Sequence, residues 1–186
     1  MSKILFTLSL LLTLISCGGS TTQKEQKAQE VKRIAGWEIF KEDDFSIQYP
    51  KDWELNQRGQ MGTSFILFSA MENDQDQFRE NVNLIVQDLR GRSVDLDAFT
   101  ELSEEQIKSM MTNCTMYESK RIKQGNQKYH KLIYSADQGA FSLKFEQRYW
   151  IENDKAYILT LTCEESKFSN FKEVGEKILN SFSLVQ

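Results

Sequence analysis

Between residues 116 and 163 four apolar-bearing stretches follow one another, at 116–123, 128–136, 141–151 and 156–163. Two of the links between them, Gln124-Gly125-Asn126-Gln127 and Glu152-Asn153-Asp154-Lys155, are short and polar. Links of that length join antiparallel neighbours, because a parallel return needs roughly a dozen residues or more. This stretch predicts a β-meander, and the rest of the chain must pack around it.

Four more strands are predicted upstream, at 37–40, 45–49, 64–70 and 81–89, the second ending at Pro50, the only proline. Phe65-Ile66-Leu67-Phe68 is apolar on both faces, which predicts a sheet covered at least partly on both sides. A helix is predicted over 96–112, with Asp95 as its N-cap. Leu96, Phe99, Ile107, Met110, Met111 and Cys114 share one side of it, and Leu102 lies just off that stripe. A second helix over 167–181 carries the stripe Phe171, Val174, Ile178 and Phe182. Strands, helix, meander and helix in that order predict an α+β fold. About six or seven strands form a largely antiparallel sheet, with helices packed on it.

The N-terminus reads as a secretory leader. Lys3 and the terminal amine precede an apolar run over residues 4–15. As a helix this run rises roughly 18 Å, too short for a hydrocarbon core of about 30 Å. It fits the hydrophobic region of a signal peptide. Leu14-Ile15-Ser16-Cys17 resembles a lipobox, which implies cleavage before Cys17 and a lipid on its thiol. Residues 1–16 are then the signal peptide, 17–35 a flexible polar tether and 36–186 the domain. A net charge of −4 and a pI near 5.2 exclude the basic face that nucleic acid requires. They supply no polybasic lipid-binding patch either, so the membrane is reached through the lipid. Gly18 after the cysteine, by resemblance to known sorting rules, is compatible with the outer membrane; the expected side is the periplasm, the alternative being the cell surface.

Three stretches give the domain a family resemblance. They are Phe45-Ser46-Ile47-Gln48-Tyr49-Pro50-Lys51-Asp52-Trp53, then Phe78-Arg79-Glu80-Asn81-Val82-Asn83-Leu84-Ile85-Val86, then the closing strand and helix with Ser181-Phe182. In that order they resemble the PsbP/DcrB-like group. The resemblance implies an α-β-α sandwich around an antiparallel sheet. It implies an accessory, binding or assembly role, with no shared catalytic set and no cofactor.

Local signatures of catalysis are missing. His130 is the only histidine and shares strand parity with Leu132 and Tyr134, which predicts a packed or edge histidine. An enzyme would need a cleft joining His130 to a carboxylate and a hydroxyl. Glu72-Asn73-Asp74-Gln75-Asp76 lacks the glycine and the distal glutamate of a calcium loop and is expected to be solvated. No metal site is predicted.

The stretch 141–151 alternates an apolar row with the polar row Ser142, Lys144, Glu146, Arg148 and Trp150. Lys144, Glu146, Arg148 and Trp150 are candidate partner-binding residues, since Trp and Arg favour interface hot spots. The alternative is a solvated sheet face with Trp150 under a loop. Cys114 and Cys163 are candidates for a disulfide, the alternative being two separate buried thiols. The expected function is a non-enzymatic, lipid-anchored envelope protein that binds a partner protein. The rival is a carrier holding a small ligand or lipid in a cavity between helix and sheet.

Overall fold

A computed structural model describes residues 33–124 and 127–185. All of them belong to one compact unit, Arg33–Gln186. The signal peptide, Cys17 and most of the predicted tether lie outside the described residues.

The chain begins with strands β1 (Trp37–Lys41), β2 (Phe45–Pro50) and β3 (Glu54–Asn56). Next come β4 (Thr63–Phe68) and β5 (Asn81–Asp88), then helix α1 (Leu96–Met110). The meander is β6 (Thr112–Gln124), β7 (Gln127–Gln138), β8 (Phe141–Glu152) and β9 (Lys155–Glu164). Helix α2 (Phe168–Ser181) and the short β10 (Ser183–Leu184) close the chain. The strands form a seven-stranded sheet in the order β3-β4-β5-β9-β8-β7-β6 and a three-stranded sheet, β1-β2-β10. Every pairing is antiparallel.

The single sheet read from the sequence is thus two sheets. The stretches that form β3 and β10, three and two residues long, carry too little alternation to be seen as strands. The turn between β8 and β9 is Asn153-Asp154, both at positive φ, as the tightest hairpins require.

Each face of the large sheet has its own core. On one, Phe65, Leu67, Val82, Leu84, Leu159 and Leu161 pack with the small sheet and with Ile178, Leu179 and Phe182 at α2. On the other, Leu132, Tyr134, Leu143, Phe145 and Tyr149 pack with Phe99 of α1. In β4 only Phe65 and Leu67 belong to the α2-side core; Ile66 is buried outside both cores, and Phe68 lies under the Arg79 guanidinium. Asp95 caps α1, its side chain accepting a hydrogen bond from Ala98 N at 2.9 Å.

The inward stripe of α1 is narrower than predicted. Phe99 is buried and Leu96, Ile107 and Met111 half-buried, but Met110 is 72 % exposed. The helix ends at Met110, and that side chain meets Gln106 Nε2 at 3.5 Å, on the outer side of the last turn.

The stretches that carried the resemblance have structural work. Ser181 Oγ donates to Gln48 O at 3.1 Å and accepts from Gln48 N at 2.8 Å, tying the end of α2 to β2. Phe182 packs against Phe45 and Trp150. Arg79 donates to Ser69 O at 2.7 Å and pairs with Glu54 at 2.8 Å, closing the end of the β4–β5 ladder.

Candidate functional site

The predicted partner row is not an open face. Glu146, Arg148 and Trp150 are buried at 0 %, 3 % and 3 % exposure. They project onto the face that carries α2, so the alternation that reads as solvated polarity is an internal charged row. Arg148 Nε and Nη2 reach Glu146 Oε1 at 2.9 and 2.8 Å, and Nη1 donates to Asn180 Oδ1 of α2 at 2.8 Å. The guanidinium also lies over the Tyr129 ring, 5.2 Å from its centroid. Trp150 is held between Tyr129 and Phe182, with centroids at 5.1 and 4.9 Å. Lys144 is half-buried, its ammonium 4.1 Å from the Tyr117 ring and 5.1 Å from that of Phe168. As an exposed hot spot the row is therefore corrected. Arg148 and Glu146 Oε1 are paired inside the protein, whereas Glu146 Oε2 and the Trp150 indole N–H are buried without a hydrogen-bond partner.

The expected disulfide is also corrected. Both thiols are free. Cys163 on β9 belongs to the core on the α2 side, whereas Cys114 on β6 packs on the α1 side. β8 and β7 stand between their strands. Three strand spacings of about 4.8 Å place the backbones roughly 14 Å apart, beyond the roughly 7 Å limit for a bridge. Burial pushes the Cys163 thiol well up, so it is a packed thiol rather than a nucleophile.

His130 lies on the α1 face, as its parity predicted, and it does meet a hydroxyl and a carboxylate. Its Nε2 is 2.9 Å from Ser119 Oγ, and Ser119 in turn donates to Glu104 of α1. The order is wrong for nucleophilic catalysis. A serine activated by histidine gives its proton to the ring, and the carboxylate orients the other ring nitrogen. Here the hydroxyl proton points at the carboxylate, and His130 Nδ1 is buried without a hydrogen-bond partner. Burial and Arg121 hold His130 below its usual value, so at neutral pH it is uncharged and donates from Nε2. The chain Glu104–Ser119–His130 fastens α1 to β6 and β7.

The acidic loop is solvated over 72–75, as expected, and is in addition pinned at Glu72 and Asp76. Lys167, the N-cap residue of α2, reaches Glu72 at 3.0 Å, Asp76 at 3.3 Å and Glu164 at 2.9 Å. Nearby Glu80 is fully buried, and neither carboxylate oxygen has a hydrogen-bond partner. Burial raises its pKa above the ordinary 4.5. Among the described residues no group of acidic, histidine or cysteine side chains is arranged to hold a metal ion. Nothing in the sequence around Lys167 signals this clamp, since its partners lie as far as 95 positions away.

The large sheet ends in a long edge strand. β6 spans 13 residues and pairs only with β7 among the described residues, so its outer rim is open. Its register shifts between Thr112 and Thr115 and again between Met116 and Glu118, then runs regularly from Glu118 to Gln124. Lys120, Arg121 and Lys123 are exposed along that regular part. Lys120 pairs with Glu118, and Arg121 with Asp97. Lys123 has no ion pair among the described residues. The opposite edge, β3, has three residues.

Comparison with known proteins gives one family and several solved structures. The family described as PsbP-like protein matches residues 12–184. None of the curated proteins matches the chain. The solution structure of cyanobacterial PsbP (CyanoP) from Synechocystis sp. PCC 6803 superposes with a TM-score of 0.62 at 16 % identity, covering 92 % of this chain and 99 % of that one. LpqN of Mycobacterium tuberculosis, described as involved in cell envelope biogenesis, gives 0.58 at 8 % identity over 81 % and 92 % of the two chains. PA94 of Pseudomonas aeruginosa, a protein of unknown function, gives 0.56 at 11 % identity over 81 % and 96 %. At these identities the likeness is one of fold.

Proposed function

Because the chain belongs to the PsbP-like family, we propose that it is a non-enzymatic accessory protein of the cell envelope, anchored by a lipid on Cys17, that works by binding a partner protein. The observation that carries the binding reading is the open rim of β6. A long, regular edge strand offers a row of unpaired main-chain donors and acceptors to a further strand. Its cations favour an extended segment bearing acidic side chains. Short edges, bulges and lysines also protect against edge-to-edge aggregation, and the first half of β6 carries the bulges. The regular half, 118–124, is the part left able to pair.

The lipobox-like Leu14-Ile15-Ser16-Cys17 supports the anchor, and no helix among the described residues is long and apolar enough to cross a membrane. A tether over 17–35 would hold the domain within roughly 25 Å of the bilayer. Gly18 is compatible with sorting to the outer membrane. Site-specific photocrosslinking in the native cells tests the partner reading. A probe at Lys123 of the full-length chain gives a discrete adduct that Ile122→Pro abolishes, and a probe at exposed Glu173 on α2 gives none. No adduct at Lys123, or the same adduct from both positions, overturns it.

A further inference from the structure

The large sheet is forked at one end. The β7–β8 register runs from Gln138↔Phe141 to His130↔Tyr149 and stops there. Both strands nevertheless continue, β7 back to Gln127 and β8 on to Glu152. Each free portion stays with its outer neighbour. Residues 127–129 remain paired with 122–124 of β6, and residues 150–152 with 155–157 of β9. Two hairpins therefore diverge from a shared sheet.

A cavity of about 310 Å³ is lined by the facing arms of the fork. Leu96 of α1, Trp150 and Ile151 of β8 and Leu184 of β10 give it apolar wall. Arg121 and Lys128 bring positive charge from the β6–β7 arm. Arg121 is shared with Asp97, whereas Lys128 has no ion pair among the described residues. Trp150 is 3 % exposed, and its indole N–H is buried without a hydrogen-bond partner. The ring is propped against Tyr129 of the opposite arm, 5.1 Å between centroids.

Parted strands present main-chain N–H and C=O groups that an extended chain can complement, and buried donors are rarely left unmet. We propose that the fork seats the apolar C-terminal end of an extended peptide. Its backbone adds to the parted arms, and its last side chain lies against Leu96, Ile151 and Leu184. Its carboxylate meets Lys128 and Arg121. Glu152, also at the cavity, disfavours a second negative charge on the ligand. This site goes beyond the β6 rim and stands on separate observations.

The test is a titration of the purified domain with N-acetylated alanyl-leucyl-isoleucine, as free acid and as C-terminal amide, followed by the Trp150 indole NMR resonance. Trp150→Phe assigns that signal and keeps the ring packing while removing the donor. The free acid shifts the resonance at millimolar concentration, and the amide binds about fivefold more weakly or worse, the scale of a partly exposed ion pair. Lys128→Gln, an exposed position whose thermal melt should match the parent, removes that preference. No shift with the free acid, equal binding of acid and amide, or an unchanged preference in Lys128→Gln overturns the proposal. The Lys123 crosslink reads the β6 rim independently of either outcome.

Discussion

At the scale of single residues, the decisive fact is that the charged row of β8 is internal. Removing one member of a buried ion pair strands the other without solvent, at a cost of about 3–5 kcal/mol. Arg148→Met should therefore lower the unfolding free energy by about that amount, read from the denaturant midpoint. Replacing Glu146 by Leu as well should recover most of it, because Lys131, 3.9 Å from Glu146, keeps Glu118 at 3.6 Å and no buried charge is left unpaired. A neutral Arg148→Met would mean that the row is solvated. Glu80 gives the pH counterpart. Its folded pKa is raised by burial, so the folded state holds the proton more tightly than the unfolded chain does. The stability linked to it is complete below the ordinary value of 4.5 and is lost as pH rises through the folded value. Glu80→Gln should match the parent in urea at low pH and exceed it at pH 8 by about 1 kcal/mol, the scale of one unmet buried group. An advantage confined to acid would contradict the assignment.

At the scale of elements, the sequence was legible wherever a period of two or 3.6 ran for several turns. The four long strands of the meander and both helices lie within a few residues of their expected bounds, and Asp95 caps α1 as read. Asp95→Ala should cost about 1 kcal/mol, measurable by thermal melt. What the sequence left illegible depends on contacts distant along the chain. The polar alternation of 141–151 looks identical whether water or α2 covers it, and Asn180, its partner, lies 32 positions away from Arg148. The expected cysteine bridge failed because Cys114, read on the stripe of the first helix, lies past its end on β6, across the sheet from Cys163. The α2 cover itself depends on Gly175, where a Cβ would fall 2.5 Å from Leu161 Cδ2 of β9. Gly175→Val should force the helix off the sheet and destabilise the protein by about 1–3 kcal/mol or more. A parental melting temperature in that variant would mean that α2 does not lie so close.

At the scale of the whole molecule, one PsbP-like unit carries a double core, an open β6 rim and a forked sheet end, and its charged clusters are bound up in fastening elements together. The central claim is that it is held at a membrane by a lipid on Cys17. Metabolic labelling with a fatty acid in the native cells, comparing the full-length parent with Cys17→Ala, tests this most directly. The account predicts a labelled parent in the membrane fraction and an unlabelled variant, left as unprocessed precursor or as soluble product. Equal labelling of the two chains would contradict it.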